Sequence, residues 1–194
     1  VAQTSNTLQQ GKNAADMRQR TLRREVTFTG TALHTGADCS VTLRPAPAGS
    51  GVVFRRVDMA DAPEIPAVIG NVRSTDRCTT LGVGSATVAT VEHLMAALRG
   101  MEIDNALVDA DGPEVPIADG SAVPFVELIE RAGTVELDKP RTVTVVEKPT
   151  WVRAGNKVAI ALPHDAYRVS FMFTNDHDHP ALSDLFAEFD VCAK

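Results

Sequence analysis

The stretch "TVEHLMAALRGMEIDNALVDADGPEVPIADGSAVPFVELIERAG", residues Thr90 to Gly133, carries the clearest structural pattern of the chain. Its opening predicts a helix, because apolar residues recur at the spacing of one helical face at Val91, Leu94, Met95 and Leu98. Thr90 is a candidate N-cap, and Gly100 is a candidate C-terminal stop. "IDNALVDAD" then predicts a buried strand.

A second helix is predicted over "AVPFVELIERAG". Ser121 can cap it, and Pro124 is tolerated because first-turn amides have no intrahelical partner. Its apolar face consists of Phe125, Leu128, Ile129 and Ala132. Each helix thus has one apolar face to pack against a sheet.

The rest of the chain has mainly β patterns. Strands are predicted in "LRREVTFT", on both sides of the turn in "GTALHTGADCSVTLRPA", in "GSGVVFRRVD", and as two short strands in "RCTTLGVGSATVAT". The two prolines of "DAPEIPAVIGNVRST" indicate an irregular segment or an edge. Three more β-rich runs follow Gly133.

Strands, two helices and strands again predict an α+β fold. We expect a two-layer sheet/helix sandwich over residues 18–138 and the start of a second domain of the same kind over residues 139–194. This second domain is expected to be truncated, since the sequence stops before any helix could cover its sheet. Residues 1–17 are polar and predict a disordered tail.

Composition excludes some functions. With 44% hydrophobic and 23% charged residues the chain has the make-up of a globular protein, and its net charge of −6 argues against nucleic acid or an anionic membrane as the main partner. No apolar run approaches the ~20 residues of a transmembrane helix. Three scattered cysteines favour a reducing cytoplasm over a disulfide framework.

Glu92 and His93 are the candidate catalytic pair, because the cap places both in the first helical turn and off the apolar stripe. The positive end of the helix dipole favours an ionised carboxylate and a neutral imidazole. These are the states of a general base and of a zinc ligand. Such a pair is more often a capping or surface feature, and zinc needs about three protein ligands.

Two other histidine motifs are candidate metal ligands. His34 and Asp38 have the spacing of ligands on a helix, but Gly36 and the flanking β patterns argue against a shared face. In "NDHDHP", His177 and His179 could chelate from one face of an extended chain, although such a run is more often a polar loop before proline. "GVGSAT" is only a weak phosphate-loop signal.

Several separated blocks in one order resemble the UDP-3-O-acyl-N-acetylglucosamine deacetylase family, the zinc hydrolases of lipid A biosynthesis in Gram-negative bacteria. The resemblance covers roughly Arg18 to Ala181. Besides the opening stretch, its blocks are "RQRTLRREVTFTGTALHTG", "VTLRPAPAGSGVVFRR", "RCTTL" and "FTNDHDHPA". Ordered blocks are far more specific than one motif.

The resemblance implies two similar α+β domains with the active site between them. Glu92 would be the general base, His93 a zinc ligand, and the reaction removal of the 2-N-acetyl group from the UDP-sugar as acetate. Cys78 would lie beside the zinc without binding it. Thr79, His34 and Asp119 would have substrate-binding or supporting roles, with turn stabilisation an equal alternative for the last two.

The family's other two zinc ligands, a general-acid histidine and the segment that holds the acyl chain are expected beyond Lys194. We therefore expect this chain alone to bind zinc weakly and to be inactive, and the full-length enzyme to be monomeric. Two alternatives remain open. One is a non-catalytic α+β fragment that acts through protein association, and the other is a different metal hydrolase that uses His93 with His177 and His179.

Overall fold

The computed structural model describes residues 17–174 and 183–191. It divides the chain into two compact units, one extending to Arg141 and the other beginning at Thr142. The strand Thr134–Pro140 belongs to the first unit, because it pairs with the strand Arg18–Leu22.

The described part of the first unit, residues 17–141, contains ten strands, two α-helices and a 3₁₀ turn at Ile69–Asn71. Its helices are α1 (Glu92–Gly100) and α2 (Val123–Ala132). Its strands are β1 (Arg18–Leu22), β2 (Val26–Thr31), β3 (Asp38–Pro45), β4 (Val52–Arg56), β5 (Glu64–Pro66), β6 (Val72–Ser74), β7 (Thr80–Val83), β8 (Ala86–Val88), β9 (Ala106–Asp111) and β10 (Thr134–Pro140).

The main sheet has the strand order β2-β3-β9-β4-β5. All its neighbours are antiparallel except β4 and β9, which are parallel. The predicted buried strand "IDNALVDAD" is confirmed as β9, at the centre of this sheet. The predicted pair of short strands is confirmed as β7 and β8, which form a smaller sheet with β6.

The apolar faces of both helices and the inward side chains of the sheet form one buried cluster. On β3, burial alternates so that Cys39, Val41 and Leu43 point inward. Phe125 of α2 packs against Phe28 of β2 with ring centroids 5.4 Å apart. The predicted α+β fold is thus confirmed, and each large side chain buried in this cluster contributes about 1.5–3 kcal/mol.

The start of α1 differs from the prediction. The helix begins at Glu92, Val91 occupies the N-cap position, and no side chain caps the helix. Thr90 has a positive φ of 59° and is 1% exposed. Its hydroxyl donates a hydrogen bond to Glu114 instead, so the prediction that Thr90 caps α1 was wrong.

The start of α2 differs by one residue. Ala122 takes the N-cap position, while the Ser121 hydroxyl accepts a hydrogen bond from the N–H of Val123 at 3.1 Å. Ser121 therefore contacts the first helical amide from just outside the helix. The predicted stop at Gly100 is confirmed as the last residue of α1.

The described part of the second unit consists of two antiparallel hairpins. β11 (Thr150–Ala154) pairs with β12 (Lys157–Ala161), and β13 (Arg168–Phe173) pairs with β14 (Leu185–Asp190). Many of their large apolar side chains are exposed, including Trp151, Ile160, Phe171, Met172 and Phe186. A truncated domain of the same kind as the first unit stays a prediction.

Candidate active site

The Glu92–His93 pair lies in the first turn of α1, and both residues are partly buried. Oε2 of Glu92 accepts a hydrogen bond from the backbone N–H of Thr79 at 2.9 Å. Thr79 follows Cys78 directly. The motifs "RCTTL" and "TVEHL", separate in the sequence, therefore meet at the Glu92 carboxylate.

Backbone hydrogen bonds fix the chain that leads into α1. The N–H of Val91 donates to the carbonyl of Thr79 at 3.4 Å. Two residues earlier, the N–H of Ala89 donates to the carbonyl of Pro113 at 2.8 Å, and the carbonyl of Ala89 accepts from the N–H of Val115 at 3.1 Å. The helix start is thus held between the turn after Cys78 and the segment around Glu114.

Cys78 is partly buried, and its Sγ lies 3.8 Å from the hydroxyl oxygen of Thr80. It is a free cysteine, as is Cys39. Burial raises the pKa of the Cys39 thiol, and the carboxylates of Glu114, Asp38 and Asp111 raise it further. Cys39 is therefore held as a thiol, which is not a metal-binding form.

His34 and Asp119 both take part in turns. The N–H of His34, in the exposed loop after β2, donates to Glu114 at 3.0 Å. Asp119 accepts hydrogen bonds from the N–H and the hydroxyl of Ser121 at 2.9 and 2.8 Å, as in an Asx turn. These bonds lower the pKa of Asp119, and a favourable interaction with His93 lowers it further.

The structure brings part of the predicted site together. Glu92 contacts Thr79, which lies beside Cys78. His34 is linked to Thr90, just before α1, through Glu114, while Asp119 binds Ser121 in its own turn. A role in binding substrate for Cys78, Thr79, His34 and Asp119 stays a prediction.

Sequence reasoning missed Glu114, which is 2% exposed. Burial alone would raise the pKa of its carboxyl, but hydrogen bonds from His34, Thr90 and Thr35 outweigh this and leave the pKa below its ordinary value. The only available signal was an acidic residue between two prolines in a turn-rich loop. That pattern does not distinguish a buried carboxylate from a surface one.

A recess of about 340 Å³ adjoins Glu92. Thr79 and Glu92 supply its polar side chains, and the remaining lining is apolar: Ala67, Val68, Ile69, Val72, Leu81, Val91 and Met95. Ile69 is 91% exposed in this structure. The recess thus combines one carboxylate with a largely apolar wall.

Among residues 17–174 and 183–191, no three His, Cys, Asp or Glu side chains are grouped closely enough to hold a metal ion. The described residues therefore do not make a zinc site by themselves. His177 and His179, considered above as a chelating pair, lie outside the described residues. None of the described helices has the length and apolar character needed to cross a membrane.

Fold and site together define a sheet/helix domain of the α+β class with an acid–histidine pair at a helix start. The family model for UDP-3-O-acyl N-acetylglycosamine deacetylases matches residues 19–194. The chain belongs to this family, which confirms the resemblance found in the sequence.

Curated relatives carry the name UDP-3-O-acyl-N-acetylglucosamine deacetylase. The chain is 50% identical to the protein of Citrifermentans bemidjiense over 172 residues, and this alignment covers 89% of this chain and 56% of the relative. It is 49% identical to the protein of Geobacter sp. strain M21, with the same coverage. Identity to the Legionella pneumophila protein is 45%, over 87% of this chain and 55% of the relative. The chain thus spans little more than half the length of these relatives.

Proposed function

We propose that this chain supplies the general base and one zinc ligand of an enzyme that removes the 2-N-acetyl group from UDP-3-O-acyl-N-acetylglucosamine in lipid A biosynthesis. The observation that supports this most directly is the placement of Glu92. Its carboxylate is held by the Thr79 N–H at the start of a helix, next to His93. The names of the relatives support the choice of substrate.

In this proposal Glu92 accepts the proton of the water that attacks the acetamido carbonyl. The hydrogen bond from Thr79 uses Oε2, so Oε1 can take that proton. The carbon–nitrogen bond then breaks, the sugar nitrogen leaves as an amine after gaining a proton, and acetate is released.

Zinc is part of the proposal through His93 only. When bound, zinc would polarise the carbonyl and activate the water. Since the described residues offer no set of three ligands, the remaining ligands would have to come from outside them.

Cys78, Thr79, His34 and Asp119 are proposed to surround the substrate or to support the residues that touch it. The chain's net charge of −6 argues against nucleic acid as a partner. We also propose a cytoplasmic location and a monomeric full-length enzyme.

The test is an assay for free amine released from UDP-3-O-acyl-N-acetylglucosamine in the presence of zinc. The chain is assayed alone and together with the portion of the C. bemidjiense relative that lies outside the 172 matched residues. We expect deacetylation only in the combined sample. If that portion also deacetylates without this chain, the assignment of the general base to Glu92 is wrong.

A second candidate function is supported by the second unit. Its hairpins expose Trp151, Phe171 and Phe186 at 70%, 57% and 68%. Exposed apolar side chains in such number mark association surfaces. A non-catalytic fragment that acts through protein association would form oligomers in sedimentation velocity and give no amine in the combined assay.

A further inference from the structure

Glu114 connects two segments that each carry a candidate site residue. Its Oε1 accepts hydrogen bonds from the N–H of His34 at 3.0 Å and from the hydroxyl of Thr90 at 2.9 Å. Its Oε2 accepts from the N–H and the hydroxyl of Thr35 at 3.2 and 3.3 Å. One buried carboxylate thus binds both a loop residue 80 positions before it in the sequence and a residue at the helix start 24 positions before it.

The Thr90 end of this connection needs support. Thr90 has φ 59°, and a β-branched side chain rarely adopts this left-handed conformation. Such a backbone persists only where its surroundings hold it in place. The hydroxyl bond to Glu114 does so from the side chain, while the backbone on either side is held at Ala89 and Val91.

The backbone of Glu114 is fixed to the same segment. Pro113 and Val115, its two neighbours, exchange backbone hydrogen bonds with Ala89. The backbone of Glu114 is therefore fixed next to Ala89, the residue before Thr90. Because its side chain also binds His34 and Thr35, Glu114 fixes the position of their loop relative to Ala89 and Thr90.

We propose that Glu114 is a positioning residue that fixes the loop of His34 to the start of α1, where Glu92 and His93 lie. Its bearing on catalysis rests on the function proposed above. The structural coupling stands apart from that function, because it involves neither zinc nor substrate. A carboxylate can receive the donors of His34, Thr35 and Thr90 together because both of its oxygens are acceptors.

Replacement by glutamine has a defined consequence. The side chain of a Glu114→Gln variant keeps its size but has one acceptor oxygen and one NH₂ group. With its oxygen at the Oε1 position the amide cannot accept from the two Thr35 donors, and with its oxygen at the Oε2 position it cannot accept from the Thr90 hydroxyl. In either orientation the link between the His34 loop and the start of α1 is weakened.

The test uses amide NMR spectra of the complete 194-residue chain. Thr90→Val removes the hydroxyl but keeps the β-branched shape, and Thr90→Ser keeps the hydroxyl. We expect Thr90→Val to shift the amide resonances of His34 and Thr35, and Thr90→Ser to shift them far less. Shifts from Thr90→Val that stay confined to residues near Thr90 would overturn the proposal.

Glu114→Gln provides the second measurement, with Asp109→Asn as the matched control. Both replace a buried carboxylate in the same unit, but Asp109 binds Arg44 and Arg55 on β3 and β4. We expect Glu114→Gln to shift resonances of Glu92 or His93 and of His34 or Thr35, and Asp109→Asn to leave all four in place. Equal shifts from both variants would reduce Glu114 to a general stabilising role and contradict the proposal.

The Thr90 pair keeps the test decisive if Glu114→Gln fails to fold, because those variants leave the carboxylate intact. The outcome is also separable from that of the amine assay. Absence of deacetylation with the coupling intact would count against the proposed function alone. Absence of the coupling would count against Glu114 alone.

Discussion

The backbone N–H of Thr79 and the carboxylate of Glu92 are joined by a 2.9 Å hydrogen bond. This bond connects the turn after Cys78 to the first turn of α1. A backbone donor is fixed by the fold, and so it holds the carboxylate in one orientation without a second ionisable group. The geometry suits a general base, which must face its substrate with one oxygen already placed.

Glu92→Gln tests the role of this carboxylate. Glutamine can still accept the hydrogen bond from Thr79 but cannot accept a proton, so we expect the rate of amine release in the combined assay to fall by about 10²–10⁴-fold. The free energy of unfolding in urea is expected to change by less than about 1 kcal/mol, because the bond to Thr79 is retained.

Glu127→Gln is the matched control for this variant, since Glu127 is exposed on α2. It makes the same chemical change on the other helix, and we expect it to leave the rate unchanged. A Glu92→Gln protein with full activity would remove Glu92 from the mechanism.

Zinc content tests the second half of the pair. With His93 as the one proposed ligand among the described residues, we expect the chain alone to lose zinc during gel filtration. Metal analysis of the eluted protein should then give far less than one zinc per chain. In the combined sample we expect retained zinc, which His93→Ala lowers and which His164→Ala, in the second unit, leaves unchanged.

One tight zinc per chain in the uncombined protein would contradict this expectation. It would show that this chain supplies a complete ligand set. If His93→Ala then released the metal, His177 and His179 would become the ligands to test next.

The core of the first unit tests the packing of α1. Leu98 is 1% exposed and points into the buried cluster. Leu98→Ala is expected to lower the free energy of unfolding by about 2–5 kcal/mol, from lost burial and the cavity left behind. Val123→Ala, at a residue that is 57% exposed, should change it by no more than about 0.5 kcal/mol, and urea titration compares the two.

The sequence predicted the features that depend on local pattern. Apolar spacing identified both helices, and "IDNALVDAD" was identified as the buried strand that became β9. The strand order of the main sheet could not be predicted from the sequence, because β9 pairs with β3 and β4, which lie far from it along the chain. Turn signals separate strands along the chain but do not say which strands become neighbours.

The same distinction applies to the site. Glu92 and His93 were visible because they share one helical turn. Glu114 was missed because its partners, His34 and Thr90, lie far from it in sequence. The sequence predicts Thr90 as a cap because threonine is common at N-cap positions. In the folded protein its hydroxyl donates to the buried carboxylate of Glu114 instead.

Acid titration tests Asp109, a buried carboxylate on the main sheet that binds two partly exposed arginines. Oδ1 of Asp109 accepts from Arg55 at 2.7 Å and Oδ2 accepts from Arg44 at 2.7 Å. Burial raises the pKa of this carboxyl, but the hydrogen bonds and charges of the two arginines outweigh it and lower the pKa overall. The charged form is therefore favoured more in the folded protein than in the unfolded chain, where the pKa is about 3.9.

A lowered folded pKa means that the stabilisation by Asp109 is complete above about pH 4 and is lost as the pH falls through the folded value. We expect the free energy of unfolding of the unaltered chain to decrease over this acid range. Asp109→Asn should reduce stability at pH 7 by about 1.5–3 kcal/mol, the contribution of hydrogen bonds to charged groups, and should flatten the acid decline. Glu114 also has a lowered pKa, so part of the decline should remain in the variant. Urea titrations from pH 7 to about pH 2 measure both effects, and an unchanged slope in Asp109→Asn would show that the arginine pairs do not couple folding to pH.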